Sequence, residues 1–303
     1  MKTELDHLPE TKRRELARVV EILFAEFEAA IAGGTMPHKR KGAILKVILF
    51  GSYARGDWVE DPIGGYVSDY DLLVVVNDEK LTDITDYWTK AEDHLVREYA
   101  ISHRLTAPAN FIVHSLNDVN QRLRLGRYFF TDIVRDGIAL YEAPGHAFAQ
   151  AERLEPAEAL REAQAFFEEW LPSAGGFLDT AAYVASQGRT KEAAFQFHQA
   201  TERLYHCVLL VLTLYSPKSH KLNFLRSQAE QLDGRLVAAW PRRTKFEQRC
   251  FELLRRAYVD ARYSPHYKIS AEELAWLGER VAVLQGLVKT VCEERLDSPQ
   301  TNT

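Results

Sequence analysis

The stretch LFGSYARGDWVEDPIGGYVSDYDLLVVV, Leu49 to Val76, decides how the first half of the chain folds. It begins inside the apolar run AILKVILF (Ala43 to Phe50), which is short, branched and bounded by glycines, the pattern of a buried strand. It ends on YDLLVVV (Tyr70 to Val76), a second strand of the same kind. Between them Gly51 and Ser52 open a short helix. Free backbone N–H groups and a hydroxyl at a helix start make an anion site, and Gly51 lets a phosphate approach the backbone. Asp69 and Asp71 stand at i and i+2 at the head of the second strand, so their carboxylates project from one face of the sheet. Two such oxygen donors suit Mg²⁺ (or Mn²⁺), which binds through one or two carboxylates plus substrate phosphates.

Taken alone, the GS turn reads as a surface loop and the DxD as a strand cap. In order, each at a strand end, they read as a phosphate cradle facing a divalent-metal clamp, the arrangement used for phosphoryl or nucleotidyl transfer. Arg55, three residues past Ser52, either contacts a β- or γ-phosphate or lies on a solvated helix face. Trp58 either stacks on a base or covers the sheet edge, the second being the simpler reading.

Working outward, Glu15 to Ile31 repeats apolar residues at helical spacing and stops at Gly33-Gly34. Asp83 to Ala100 reads as a helix and Asn110 to His114 as a third strand. Strands alternating with helices give an α/β domain over residues 1–143, with its boundary near Pro144-Gly145. Behind it, residues 150–297 read as an all-α up-and-down bundle. Its helices are Pro156 to Trp170, Phe177 to Ser186, Lys191 to Leu214, Leu222 to Leu232, Lys245 to Arg262 and Ala271 to Arg295, with breakers such as LPSAGG between them. Residues 298–303 form a polar, flexible tail.

Two domains suit a chain of 303 residues, and a net charge of −5 argues against a protein that coats nucleic acid through overall charge. An anionic ligand therefore needs a local patch. Three scattered cysteines form neither a disulfide framework nor a zinc motif, and no stretch is apolar enough for a membrane span; a cytoplasmic protein is expected.

GSYARGDW followed by SDYDLLVVV resembles the nucleotidyltransferase motif of the DNA polymerase β superfamily, in its minimal form, and Leu123 to Glu142 is similar to the closing segment of such domains. The resemblance implies a nucleotide substrate, an NTP with ATP the expected donor, and transfer of NMP to a hydroxyl acceptor. It carries metal binding and catalysis over to Asp69 and Asp71. The family's third carboxylate has no counterpart in APANFIVHS. Alternation puts Asn110, Ile112 and His114 on one face, so Asn110 is the expected third metal ligand and His114 the candidate proton acceptor, or else a hydrogen-bonded structural residue.

The helical half, with FQFHQATERLYHCVLLV, the turn SPKSHKL and ARYSPHYKIS, resembles a HEPN domain. That resemblance implies a homodimer and makes Arg262 and His266 a candidate RNA-cleaving pair, although three residues separate them where the family has four to six. In paired systems of the two families the transferase adenylylates a tyrosine beside this motif, a toxin–antitoxin or defence setting in which Tyr267 is the expected acceptor. A kanamycin-type antibiotic nucleotidyltransferase, a non-catalytic nucleotide sensor and a HEPN ribonuclease are the alternatives, so the partner beyond the nucleotide is a small molecule, an RNA or a protein acceptor. His198, Glu202 and His206 share one helical stripe, which serves polar contacts within the bundle or, less simply, a metal.

Overall fold

The computed structural model describes residues 1–61 and 66–297, and the tail expected at 298–303 lies outside them. The chain divides into two compact units, Met1–Leu154 and Glu155–Thr303. The boundary expected near Pro144-Gly145 falls ahead of this division, because the intervening segment is tied to the first unit. Ala149 N–H donates to Asn120 Oδ1, Glu152 N–H donates to the Leu123 carbonyl, and the Phe148 ring covers the buried Lys46 ammonium at 4.8 Å. Lys46 is in turn paired with Glu142.

In the first unit the strands are β1 (Ile44–Phe50), β2 (Glu60–Asp61), β3 (Tyr66–Val67), β4 (Tyr70–Val76), β5 (Ala109–Ser115) and β6 (Ile138–Glu142). The main sheet runs β5-β4-β1-β6, with β4 and β5 parallel and the other neighbours antiparallel; β2 and β3 form a separate hairpin. Lys2 bridges Ile138 on β6. The helices are α1 (Glu10–Ile31), α2 (Pro37–Arg40), α3 (Gly51–Arg55), α4 (Ile84–Tyr87), α5 (Thr89–Ala100), α6 (Leu116–Arg124) and α7 (Tyr128–Asp136). The single helix expected over Asp83 to Ala100 is thus two, meeting at Trp88, whose buried indole N–H donates to the Leu81 carbonyl.

β1 and β4 are buried along their whole length, which is why they read as unbroken apolar runs rather than alternating ones. One sheet face, with Val47, Leu49, Leu72, Val74, Phe111 and Val113, joins Leu16, Val19, Leu23 and Phe27 of α1 in one core. On the other face Phe129 and Phe130 of α7 meet Phe50 and His114 edge-on.

The second unit contains α8 (Pro156–Ser186), α9 (Thr190–Thr213), α10 (Leu222–Leu232), α11 (Lys245–Tyr263) and α12 (Ala271–Asp297), with α9 packed against the other four. The expected break at LPSAGG is absent: α8 runs through Pro172. Proline removes one backbone donor, but the buried Ala174 and Ala181 keep the helix seated on the bundle. The start of α11 carries a capping box, Thr244 and Glu247 each accepting the other's backbone N–H. Among the described residues no helix is long and apolar enough to cross a membrane.

Candidate active site

The antiparallel pairing of β1 and β4 sets Phe50 opposite Asp71, so the strand end that leads into Gly51 meets the strand start that carries the aspartates. Gly51 turns the chain with φ +73°, a left-handed conformation that only glycine adopts without strain. Ser52 follows in the first turn of α3, and its hydroxyl is buried with no hydrogen-bond partner. A buried hydroxyl left in that state costs about 1–3 kcal/mol, which a ligand oxygen would relieve. The side chain therefore fits a phosphate at the place where the sequence puts the cradle.

Asp69 precedes β4 and Asp71 lies within it; the first is nearly buried and the second wholly so. Carboxylates held this deep keep their charge through hydrogen-bond partners or a cation. Asn110 pairs with Asp71 across the parallel β4–β5 ladder, and its amide N–H donates to Asp69 Oδ2 at 2.8 Å. Its N–H thereby positions Asp69 beside Asp71, while the amide oxygen, the atom expected to ligate a metal, is not the atom that makes this bond. Two adjacent carboxylates match the minimal donor set that Mg²⁺ takes when phosphates complete its shell. Among the described residues no group of three or more His, Cys, Asp or Glu side chains is arranged to hold a metal by itself.

The structure does not bring His114 to this edge. It pairs with Val75, four residues beyond the Asp71–Asn110 rung, roughly 13 Å along the strand at about 3.3 Å per residue. Its Nδ1 lies 2.6 Å from Asp118 Oδ2, which also accepts from Arg122 at 2.9 Å. Those two hydrogen bonds outweigh burial and hold the Asp118 carboxyl down at about 2. Arg55 is exposed and pairs with Asp57 at 3.2 Å beside the cradle. Glu60 lies on β2, and the Trp58 ring stacks on Tyr53 of α3 at 5.4 Å.

Sequence reasoning missed the layer behind the aspartates. Tyr70, between them in the chain, donates its hydroxyl to Glu15 of α1. The available signal was Lys12 and Glu15 standing at i and i+3 on the apolar stripe that continues through Leu16 and Val19, where charged residues are out of place.

In the second unit, Arg262 lies in the last turn of α11 and His266 in the turn beyond, both exposed. Arg262 Nε donates to the Tyr258 carbonyl, and its guanidinium lies over the rings of Tyr258 and Phe195. Tyr267 is buried, donates its hydroxyl to the Leu253 carbonyl at 2.9 Å, and burial raises its phenol above the ordinary range. As an acceptor it is inaccessible, whereas Tyr263 is 74% exposed. The stripe on α9 makes polar contacts: Glu202 lies 3.7 Å from His198 and 3.0 Å from His220, and His206 meets Ser216 at 2.5 Å.

Comparison with known proteins agrees with this division of labour. The family model described as "Polymerase beta, Nucleotidyltransferase" matches residues 37–123, spanning the cradle, both aspartates and β5, and the model of the HEPN domain matches residues 167–284. The Methanocaldococcus jannaschii protein named "Putative protein adenylyltransferase MJ0604" is 34% identical over 103 residues, which is 34% of this chain and 84% of that protein. With the cradle, the paired aspartates and strands β1, β4 and β5 all in the matched region, the chain belongs to the polymerase β nucleotidyltransferase family, carrying a HEPN domain in the same polypeptide.

Proposed function

We propose that this nucleotidyltransferase moves AMP from ATP to a tyrosine hydroxyl, with Mg²⁺ as the metal. The observation that carries the reading is the pairing of an orphaned Ser52 hydroxyl with Asp69 and Asp71 at one sheet edge. A divalent cation held by Asp69 and Asp71 would supply charge neutralisation for the triphosphate. Gly51 and Ser52 hold a phosphate oxygen, and Asn110 keeps Asp69 turned toward the site. In the reaction the acceptor oxygen bonds the α-phosphorus, the bond to the β-phosphate oxygen breaks, pyrophosphate leaves, and the hydroxyl proton passes to solvent. A protein acceptor is favoured by the likeness to a relative whose name describes a protein adenylyltransferase. Among tyrosines beside the HEPN motif, the exposure of Tyr263 favours it over Tyr267, in the same chain or a second copy, in a setting where the transferase silences a HEPN domain.

Incubation with α-labelled ATP and Mg²⁺ tests this. Label should appear on the protein, disappear with Asp69→Ala or Asp71→Ala, survive Tyr267→Phe and fall with Tyr263→Phe. Saturable ATP binding without transfer to the protein or to any HEPN substrate would overturn the reading.

A further inference from the structure

Behind the aspartates lies an ionic hub that the transfer chemistry does not itself call for. Glu15 accepts three hydrogen bonds: Oε2 from the Tyr70 hydroxyl at 2.9 Å and from the Thr106 N–H at 3.0 Å, and Oε1 from the Thr106 hydroxyl at 2.8 Å. Lys12, one turn earlier, donates to the Thr106 hydroxyl at 2.6 Å and pairs with Glu60 at 2.5 Å. Its ammonium also stands 5.6 Å from the centre of the Tyr53 ring and 5.8 Å from that of Tyr70, two rings that pack on each other at 4.4 Å. Lys12 and Glu15 are each more than nine-tenths buried.

Every partner of this hub belongs to a different segment of the site. Tyr53 follows Ser52 in α3, and Tyr70 stands between Asp69 and Asp71. Thr106 leads into Pro108, whose carbonyl accepts the Tyr70 N–H at 2.8 Å, and then into Asn110. Glu60 lies on the hairpin strand beside Val59, whose N–H donates to the Ser68 hydroxyl just before Asp69. Burying a charged pair is weak evidence for stability, because apolar residues of the same volume serve a core at least as well. What fixed hydrogen bonds add is direction. The Tyr70 hydroxyl donates to Glu15 Oε2, which fixes the ring in one orientation between the two aspartates.

We propose that Lys12 and Glu15 are positioning residues for nucleotidyl transfer, holding Ser52 and the Asp69–Asp71 pair in mutual alignment through Tyr53, Tyr70 and Thr106. The inference rests on the reading of Asp69 and Asp71 as the transfer site. Groups that orient first contacts to a metal change affinity or activity by about 10- to 100-fold when removed.

The test uses the full chain with Glu15→Gln, Tyr70→Phe, Lys12→Met and Lys12→Arg, at a temperature where circular dichroism shows all of them folded. Two readouts are taken, kcat and KM for transfer from ATP, and Mn²⁺ binding followed by electron paramagnetic resonance. Tyr70→Phe and Glu15→Gln should lower kcat about tenfold or more and weaken Mn²⁺ binding severalfold, with KM for ATP little changed. Lys12→Arg should recover more of kcat than Lys12→Met. Should Glu15→Gln fail to fold, Tyr70→Phe carries the test, since it deletes one hydroxyl. Variants with lowered melting temperature but wild-type kcat and Mn²⁺ binding would overturn the positioning role while leaving the transfer site intact. A wild-type chain that neither binds Mn²⁺ nor transfers label would overturn the transfer reading, and the positioning role with it.

Discussion

Asn110 stands directly across the β4–β5 ladder from Asp71 and gives its amide N–H to Asp69, so a neutral side chain binds the two acidic positions together. Asn110→Asp would bring a third carboxylate to this edge and remove that donor. Without divalent metal the variant should lose about 1–2 kcal/mol to like-charge repulsion and the missing hydrogen bond. Added Mg²⁺ should restore more stability to the variant than to the parent. Melting curves in chelator and in Mg²⁺ check this; equal metal-induced shifts for both proteins would contradict it.

Ser52→Ala should have opposite effects on stability and on substrate use. The hydroxyl is buried and orphaned, so its removal should leave the free protein unchanged or up to about 1 kcal/mol more stable. If the hydroxyl meets a phosphate, KM for the nucleotide should rise about tenfold. Urea unfolding and steady-state kinetics on the same preparation measure both.

The helical unit should weaken in mild acid. Burial, and next the neighbouring His220, pushes His198 down to about 3 and His206 down to about 4. Both are neutral in the fold and take up a proton near pH 6.5 once unfolded. Their folded values are depressed, so this stability is complete above the unfolded value and is lost as pH falls toward the folded ones. From pH 7.5 to 5.5 the two together should lose roughly 2–3 kcal/mol. Glu202, which faces both and is raised by burial, gains stability as pH falls and offsets part of this at the lower end. Arg262 and Arg203 add further positive charge near His198 and His206 respectively. Urea midpoints at the two pH values give the slope, and His198→Phe should flatten it by about half.

Pro172 is exposed in the middle of α8, where it withholds a donor from the helix ladder. Pro172→Ala should stabilise the unit by about 1–3 kcal/mol. Differential scanning calorimetry would show it as a higher melting temperature, and no rise would mean that the helix has already adapted to the ring.

The strands of the first unit were legible because β1 and β4 are buried on both faces and β5 nearly so, which leaves apolar runs that only a sheet interior explains. β6 escaped recognition: Ile138–Glu142 is a half-exposed edge without such a run. α8 was cut in two because Pro172 and Gly175-Gly176 speak locally for a break, whereas its contacts along α9 come from distant sequence. The site divides the same way. Alternation correctly put Asn110 and His114 on one face, but a period of two carries no information about depth along the strand, and register alone separates Asn110 from His114. Glu15, Tyr70 and Thr106 meet across 55 and 91 residues of sequence, a distance that no local pattern spans.

The Phe50–Asp71 rung has a consequence for how such a protein can diversify. Cradle and clamp are joined by one antiparallel step of the ladder, and the chain between them is not what fixes their spacing. Lengthening that connection costs little, about 0.6 kcal/mol of closure entropy for each doubling. A longer hairpin between α3 and β4 is therefore tolerable so long as Glu60 still reaches Lys12 and Val59 still bonds Ser68, the two anchors that tie it to the alignment at its base.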